Sequence, residues 1–369
     1  MFVDDYKMKL LNFNEDKRRE WEEHRQPYSV HFELTPKCNM NCVHCYLQKH
    51  HQFNQMSYER IIEILDILYD KGILFITFTG GEIFTRSDFL DIYIYAKKKG
   101  FLVELFTNGY HITDEAIEVF KKYPPILVDI SLYGACEETY YKVTGVKGAY
   151  KKVVENTKKL IDAKIRVAYK SPIITLTLDE MCDMEALAKS LGIECRFSFE
   201  IITTIDKDDV TKQYEVPRSQ MLEYEFKDYY THSQEVDERI KEDMNKPIDN
   251  HLFNCKIGRD GFLIDYEGKM NPCMKFRHKG HILTRDTFDD IWHEFGEYSK
   301  LKAGSTFKCL SCDSKHSCDV CSAEMDFLYG NMEARPSPVC TMAKIRKAFY
   351  VDKLSLDDAL KLLDEEVNL

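Results

Sequence analysis

The chain has 369 residues, of which 44% are hydrophobic and 31% charged, and its formal net charge is −11 at pH 7. A chain of this length can bury a large core in one main domain and still carry a smaller one. The acidic balance argues against a general nucleic-acid surface. Since the sequence has neither an apolar stretch of about 18 residues nor a secretion signal, we expect a cytoplasmic protein without a membrane span.

From about residue 29 to residue 205, short β-branched or aromatic runs alternate with longer amphipathic runs. The predicted strands are 29–34, 73–79, 102–106, 126–132, 165–169 and 194–201. The predicted helices are 57–71, 86–99, 114–122, 149–163 and 178–191. Six βα units predict a parallel sheet covered by helices, with a ligand site at the carboxyl ends of the strands.

The rest of the chain divides by composition. Residues 1–28 carry one amphipathic stretch, too short for a separate binding domain, and form an N-terminal extension to the α/β domain predicted for 29–205. Residues 206–250 are rich in Asp and Lys and contain a predicted helix from 217 to about 244, so we interpret them as a connector. The remaining segments are a cysteine-rich domain at 251–345 and a helical tail at 346–369.

Three closely spaced cysteines, Cys38, Cys42 and Cys45, follow the first predicted strand. Because cytoplasmic thiols are kept reduced, metal ligation explains the 13 cysteines of this chain better than disulfides do. Sites made of thiolates alone favour iron–sulfur clusters or zinc. Zinc usually takes four protein ligands, and a run of three suits it poorly. The remaining alternative is three buried, unligated cysteines.

The C-x3-C-x2-C spacing, with the aromatic His44 before its last cysteine, resembles the signature of the radical S-adenosylmethionine (SAM) superfamily. Gly80-Gly81-Glu82 resembles the glycine-glycine-glutamate motif of that family, and Asn108 and Ser131 stand at the usual ends of the next two strands. The resemblance implies an α/β fold: a partial (β/α)6 radical SAM barrel followed by a small cysteine-rich module.

The same resemblance implies the cofactors and the residues that hold them. Cys38, Cys42 and Cys45 would hold a [4Fe–4S] cluster whose fourth iron binds SAM. Glu82 would accept a charge-assisted hydrogen bond from the SAM ammonium. The cofactor-binding residues expected on this basis are His44, Gly80, Gly81, Glu82, Asn108, Ser131 and Lys170.

The group that binds the SAM carboxylate is left open by the sequence. The arginine that the family commonly places downstream of Ser131 is absent, since residues 141–145 read Tyr-Lys-Val-Thr-Gly. Lys170, at the end of the fifth predicted strand, is a substitute donor. Arg196 on the sixth strand is another.

A second group of cysteines resembles the SPASM module, which carries auxiliary iron–sulfur clusters. It consists of Cys255, Cys273, Cys309, Cys312, Cys318, Cys321 and Cys340. The family's pattern of ligands implies an outer cluster held by Cys309, Cys312, Cys318 and Cys340. It implies an inner cluster held by Cys255, Cys273 and Cys321. The inner cluster is one thiolate short, which leaves an open iron, a ligand such as His251, or a smaller cluster as alternatives. The gap between Cys318 and Cys321 is also one residue shorter than the family's, and two zinc sites remain the other interpretation.

Three further cysteines have no partners at ligand spacing. Cys182, in a predicted helix, and Cys195, in a predicted strand, are interpreted as packing residues. Cys136 follows the fourth strand near the expected active-site rim, where packing and a catalytic role are both open.

The resemblance implies an oxidoreductase that cleaves SAM reductively to a 5′-deoxyadenosyl radical, which abstracts hydrogen from a peptide or protein. We favour a maturase of ribosomally made peptides that installs a thioether or another crosslink. Its partners would be the substrate, an electron donor such as flavodoxin or ferredoxin, and a separate peptide-recognition protein. The alternatives are a formylglycine-forming sulfatase activator, an enzyme of haem or other cofactor synthesis, and a non-enzymatic electron carrier or zinc scaffold.

Overall fold

The computed structural model describes residues 20–48, 54–227, 238, 250–305 and 307–362. Within these residues one sheet of nine strands has the order β6-β5-β4-β3-β2-β1-β7-β8-β9. The strands are β1 Ser29–Glu33, β2 Phe75–Thr79, β3 Leu102–Thr107, β4 Leu127–Ser131, β5 Val167–Pro172, β6 Cys195–Ser198, β7 Gly261–Ile264, β8 Lys269–Asn271 and β9 His281–Ile282.

Strands β1 to β6 are parallel and follow one another in chain order, as the alternating pattern predicts. The α/β fold with a parallel sheet is therefore confirmed. Strand β7 extends this sheet, because it pairs parallel to β1 with Ser29 opposite Gly261. Only β8 and β9 join by antiparallel pairing among the described strands.

The helices of the described residues are α1 Tyr58–Asp70, α2 Phe89–Lys99, α3 Asp114–Lys122, α4 Glu137–Thr144, α5 Ala149–Asp162, α6 Met181–Leu191, α7 at 218–227, α8 Phe288–Tyr298, α9 Ser322–Tyr329, α10 Ser337–Tyr350 and α11 Leu356–Leu360. Local capping explains where several begin. Ser57 accepts a hydrogen bond from the backbone N–H of Arg60 at the start of α1, and Thr113 accepts one from Ala116 at the start of α3. Such side chains satisfy amide groups that the first helical turn leaves without partners.

Helix α4 was not predicted from the sequence. It has only eight residues, and its sequence EETYYKVT lacks a long apolar stripe. Tertiary packing stabilises it instead, since Tyr140 and Val143 are fully buried. Several boundaries also differ: for example, strand β6 ends at Ser198, and the predicted helix 178–191 opens with a 3₁₀ turn, Leu178–Glu180, ahead of α6.

The chain divides into two compact units. The first comprises residues 1–215 and 255–298, and the second comprises residues 216–254 and 299–369. The first unit contains the whole nine-stranded sheet. The sequence boundaries at residues 205 and 250 remain predictions about domains.

The second unit has its own apolar core, built from α7, α10 and α11. Phe226 stacks on Phe349 with ring centroids 3.9 Å apart, and Leu222 and Ile345 are fully buried beside them. Of the helix predicted from 217 to about 244, residues 218–227 are helical, and most of the remainder lies outside the described residues.

Within the described part of the chain, no helix is long and apolar enough to cross a membrane.

Candidate active site

The loop that carries Cys38, Cys42 and Cys45 leaves the carboxyl end of β1 and is fixed on one side by the glycine-glycine-glutamate loop after β2. The N–H of Gly81 donates to the carbonyl of Thr35 over 2.7 Å, and the N–H of Glu82 donates to the carbonyl of Lys37 over 2.8 Å. These bonds hold the segment just before Cys38 against the end of the neighbouring strand.

The two glycines are required by this close approach. A Cβ at Gly81 would lie 2.3 Å from the carbonyl oxygen of Lys37 and 2.5 Å from that of Pro36. At Gly80 a Cβ would lie 2.3 Å from the Thr35 oxygen, and the backbone φ of +140° disfavours any side chain. Both positions therefore accept only glycine without moving the cysteine loop.

Helix α4 fixes the other side of the loop. The N–H of Asn41 donates to the carbonyl of Thr144, and the N–H of Val43 donates to the carbonyl of Val143, each over 3.0 Å. Carbonyls in the last turn of a helix have no partner within the helix. The cysteine loop therefore supplies partners for the end of α4 and is positioned by it.

The three thiols of the loop lie close together and are largely removed from water. Burial, with the nearby Glu82 carboxylate, raises the pKa of Cys38 to about 12. Burial and the other two sulfurs raise the pKa of Cys42, and burial also raises that of Cys45. The backbone N–H groups of Met40 and Leu47 donate to the sulfurs of Cys38 and Cys45, each over 3.4 Å.

A cavity of about 330 Å³ opens beside these thiols at the carboxyl ends of the strands. Its lining combines the cysteine loop, the ends of β2 to β5 and the segment after β6. The predicted site residues that line it are Cys38, Cys42, His44, Cys45, Gly80, Gly81, Asn108, Ser131 and Lys170. Apolar side chains, among them Met40, Ile201 and Met274, line the same cavity.

Glu82 lies next to this cavity but is held by protein donors. Glu82 is only 1% exposed. One of its carboxylate oxygens accepts hydrogen bonds from the backbone N–H of Phe84 at 3.1 Å and from the hydroxyl of Thr107 at 2.8 Å. The other oxygen accepts from Asn108 N over 2.6 Å. Glu82 thereby ties the end of β2 to the end of β3, and burial raises its pKa.

Asn108 and His44 contact the cysteine loop directly. The Asn108 amide donates to Asn39 Oδ1 over 2.8 Å and lies 3.8 Å from the sulfur of Cys38. The ring of His44 lies 5.4 Å from that of Tyr133, and burial lowers its pKa to about 4, so the imidazole is neutral at pH 7. Asn108 thus contacts Cys38, a predicted cluster ligand.

The two candidate cations for the SAM carboxylate differ in position. Lys170 lines the cavity, with its ammonium group 3.0 Å from the centre of the Phe106 ring. Burial lowers the pKa of Lys170 to about 8, and Asp129 partly opposes that shift. Arg196 is engaged elsewhere, in an ion pair with Asp129 at 2.5 Å. Lys170 is therefore the better placed of the two.

Several residues at the site were missed by the sequence analysis. Tyr133 lines the cavity and lowers the pKa of Cys42, in opposition to the effect of burial. Tyr46 donates to Glu33, which also binds Arg277. Tyr46 directly follows Cys45, a predicted cluster ligand. Its place in the sequence could therefore have marked it as a residue near the site. Contacts with Glu33 and Arg277 join positions far apart in sequence, and no local pattern marks them.

Four cysteines of the second group lie together in the second unit: Cys309, Cys312, Cys318 and Cys340. Burial raises the pKa of Cys318, and the charges of Asp319, Cys309 and Cys340 add to the shift. Cys309 and Cys312 belong to one tight turn, in which the N–H of Cys312 donates to the carbonyl of Cys309.

The other three cysteines are divided between the units. Cys255 and Cys273 belong to the first unit, and Cys321 belongs to the second, where it caps helix α9. His251, the alternative ligand, is bridged to Lys302 within the second unit.

Of the cysteines without ligand spacing, Cys182 is exposed on α6, so the packing interpretation is wrong for it, because its side chain points away from the core. Cys195 is half-buried in β6. Cys136 is exposed ahead of α4, with its sulfur 3.4 Å from a carboxylate oxygen of Glu180.

The three thiols after β1 are the proposed ligands of an iron–sulfur cluster. Among the described residues, no three His, Cys, Asp or Glu side chains are arranged to hold one metal ion. A cubane cluster places each thiolate on a different iron, which keeps the sulfurs farther apart than ligands of one ion. A metal centre that stabilises the thiolates would let these thiols lose their protons to solvent despite their raised pKa values.

Two family models match the chain. The radical SAM superfamily model matches residues 32–191, and an iron–sulfur cluster-binding domain, SPASM, matches residues 255–322. Together the two domains bring a [4Fe–4S] cluster with SAM and auxiliary iron–sulfur clusters as cofactors.

Similar proteins include the antilisterial bacteriocin subtilosin biosynthesis protein AlbA of Bacillus subtilis (strain 168), which is 28% identical over 72% of this chain and 60% of its own length. The AdoMet-dependent heme synthase of Methanosarcina barkeri is 24% identical over 80% of this chain and 91% of its own. This chain thus spans less than two thirds of AlbA.

Among solved structures, SuiB of Streptococcus suis bound to its precursor peptide SuiA is similar, with a TM-score of 0.65 and 16% identity over 85% of this chain and 76% of SuiB. At this identity the likeness concerns the fold, which agrees with the parallel sheet and its cysteine loop. The chain belongs to the radical SAM superfamily, in the group whose members carry a C-terminal SPASM domain.

Proposed function

We propose that this protein is a peptide-modifying radical SAM enzyme whose SAM-cleaving cluster is held by Cys38, Cys42 and Cys45. The observation that carries the proposal is the placement of these three thiols, of which Cys42 is buried and the other two are half-buried, on one cavity that the strand-end residues Asn108, Ser131 and Lys170 also line. With the cluster and SAM bound, the cofactors supply one-electron cleavage of SAM and a 5′-deoxyadenosyl radical that takes hydrogen from the substrate.

The protein's part is to bind, orient and exclude water. Gly80 and Gly81 allow SAM to approach the backbone closely. Lys170 provides a cation for the SAM carboxylate, and Ser131 provides a hydroxyl at the end of β4. Glu82 is proposed as the acceptor for the SAM ammonium. Because its carboxylate already accepts three protein hydrogen bonds, an ammonium contact uses its remaining lone pairs.

The SPASM cysteines are proposed to hold two auxiliary clusters, both expected to be [4Fe–4S]. The proposed outer set is Cys309, Cys312, Cys318 and Cys340, and the proposed inner set is Cys255, Cys273 and Cys321. The mutual influence of the charges of Cys318, Cys309 and Cys340 supports the outer set.

A ribosomally made peptide that receives a thioether or another crosslink is the proposed substrate. The support comes from relatives: AlbA is named for bacteriocin biosynthesis, and SuiB binds a precursor peptide. Such a crosslink removes two hydrogen atoms from the peptide. One would be taken by the radical, and the second would leave as a proton to solvent and as an electron, for which the auxiliary clusters would supply an acceptor.

We further propose that the protein acts in the cytoplasm and receives electrons from a flavodoxin or ferredoxin, with a separate protein for peptide recognition. A second candidate is haem synthesis, favoured by the similarity to an AdoMet-dependent heme synthase over 91% of that protein.

These candidates are separated by incubating the reconstituted protein anaerobically with SAM, dithionite and one candidate substrate at a time. The probes are a short cysteine-rich peptide encoded beside the gene, a sulfatase-derived peptide containing the target cysteine, and an iron porphyrin precursor. A peptide that loses two hydrogens supports the maturase. Formylglycine on the sulfatase peptide, or decarboxylation of the porphyrin, contradicts it.

A further inference from the structure

A buried charge pair lies behind the cysteine loop. Glu33, on β1, is completely buried, and Arg277 Nη2 donates to both of its carboxylate oxygens at 2.9 Å. The hydroxyl of Tyr46 donates to the same carboxylate over 2.7 Å. The Arg277 guanidinium also lies 5.4 Å from the centre of the Tyr46 ring. The three side chains form one network, which we call the Glu33 network.

The network joins two segments of the first unit that carry proposed cluster ligands. Tyr46 directly follows Cys45, the last cysteine of the loop. Arg277 belongs to the 3₁₀ segment Met274–Lys279, whose N-cap is Cys273. Glu33 is therefore placed between the proposed SAM-cleaving cluster and a segment that carries a proposed auxiliary ligand.

Charge explains why these residue types suit the position. An unpaired carboxylate is costly to bury, and Arg277 stays protonated in proteins and compensates it. The negative charge of Glu33 also reaches the loop, where it contributes to the raised pKa of Cys45. Asp265 is the other carboxylate that acts on Arg277. The reduction potential of an iron–sulfur cluster depends on charges and hydrogen bonds around its ligands.

We propose that Glu33 and Arg277 balance each other's charge and so keep the reduction potential of the cluster proposed for Cys38, Cys42 and Cys45 from being shifted by either charge alone, with Tyr46 keeping the carboxylate in place. All three are positioning residues, and the proposal rests on the proposed function. Reduction adds an electron, so a nearby negative charge lowers the potential and a positive charge raises it. The pair keeps the surroundings of Cys45 close to neutral.

The test measures the midpoint potential of the SAM-sensitive electron paramagnetic resonance signal, which reports the cluster that binds SAM. Glu33→Gln leaves the Arg277 cation without its partner and is expected to shift the potential to a less negative value. The double variant Glu33→Gln with Arg277→Gln is neutral and is expected to return it to the wild-type value. Arg277→Lys keeps the charge and is expected to leave the potential unchanged.

The matched control is Arg285→Gln, because Arg285 lies on the same stretch of chain and pairs with Asp70 at the exposed surface. Equal potentials in Glu33→Gln and this control overturn the proposal. If Glu33→Gln does not assemble iron, the reduction potential of Arg277→Gln is compared with that of the double variant. The proposal is overturned if the potential of Arg277→Gln is equal to or higher than that of the double variant.

The two proposals fail in different ways. A wild-type protein without a SAM-sensitive signal contradicts the proposed function. A normal wild-type signal that the charge variants do not move contradicts only the role of the Glu33 network. If the network had only a structural role, the single and double variants would lose thermal stability. The reduction potential would then not shift in Glu33→Gln and return to the wild-type value in the double variant.

Discussion

Lys170 lines the cavity and is the proposed cation for the SAM carboxylate. Its position at the end of β5 was predicted from the sequence, but the choice between Lys170 and Arg196 was not. The structure distinguishes them, because the Arg196 side chain pairs with Asp129 while Lys170 lines the cavity.

Lys170→Met is expected to weaken SAM binding about 10- to 100-fold, which corresponds to the loss of one hydrogen bond to a charged group. Lys170→Arg should restore part of the affinity, and the exposed residue Lys142 provides the control Lys142→Met. Isothermal titration of the reconstituted protein with SAM measures the effect. If Lys170→Met and the control bind SAM with equal affinity, a group other than Lys170 binds the SAM carboxylate.

The affinity for SAM should also depend on pH through the same residue. Burial lowers the pKa of Lys170 to about 8, so the ammonium is charged below that pH and neutral above it. Affinity should therefore be fully present below about pH 8 and fall as the pH rises beyond it. Lys170→Met should show no such decline between pH 7 and pH 9, whereas a wild-type affinity that is constant over this range contradicts the assignment.

Residues with short, ordered motifs were predictable, and residues that act through long-range contacts were not. Cys38, Gly81 and Asn108 were identified because each follows a strand and belongs to a local pattern. Glu33 and Arg277 are separated by 244 positions, and their pairing depends on β7 lying beside β1. No local periodicity contains that information.

At the scale of elements, the cysteine loop is clamped between two others. The glycine loop after β2 fixes its start, and the end of α4 fixes its middle. The motif of the first clamp was recognised from the sequence, but as a SAM-binding element and not as a contact with the cysteine loop. The second was missed along with α4 itself, because that helix is short and owes its stability to packing rather than to periodicity.

Gly81→Ala tests the first clamp. The new Cβ would meet two backbone carbonyls of the loop, so the loop must move, at a cost of about 1–3 kcal/mol typical of overpacking. We expect a lower melting temperature and a lower iron content after reconstitution. Gly304→Ala is the control, because its Cβ would lie no closer than 3.6 Å to a neighbour. The clamp is contradicted if both variants retain the wild-type iron content.

At the scale of the whole chain, the family follows from two matched domains, and the sequence already contained the cysteines of both. The parallel order of β1 to β6 was predictable from alternation alone. The extension of the sheet by β7 was not, because a four-residue strand carries too little pattern to be assigned. The identity of the peptide depends on surfaces that motifs do not encode.

The SPASM cysteines give a prediction at this scale. Cys312→Ala should lower the iron content and the yield of modified peptide while SAM cleavage persists, because the SAM-cleaving cluster depends on other thiols. Iron is measured colorimetrically and 5′-deoxyadenosine by chromatography. An unchanged iron content would point to a different ligand set.

The most direct measurement is the formation of 5′-deoxyadenosine by the anaerobically reconstituted protein with SAM and dithionite, compared with that by Cys42→Ala. Cys42 is buried in the loop and has no proposed role except cluster ligation. We expect the wild type to release 5′-deoxyadenosine and the variant to release none. A wild type that binds iron but does not cleave SAM, or a variant that still cleaves it, would contradict the assignment of the cluster to Cys38, Cys42 and Cys45.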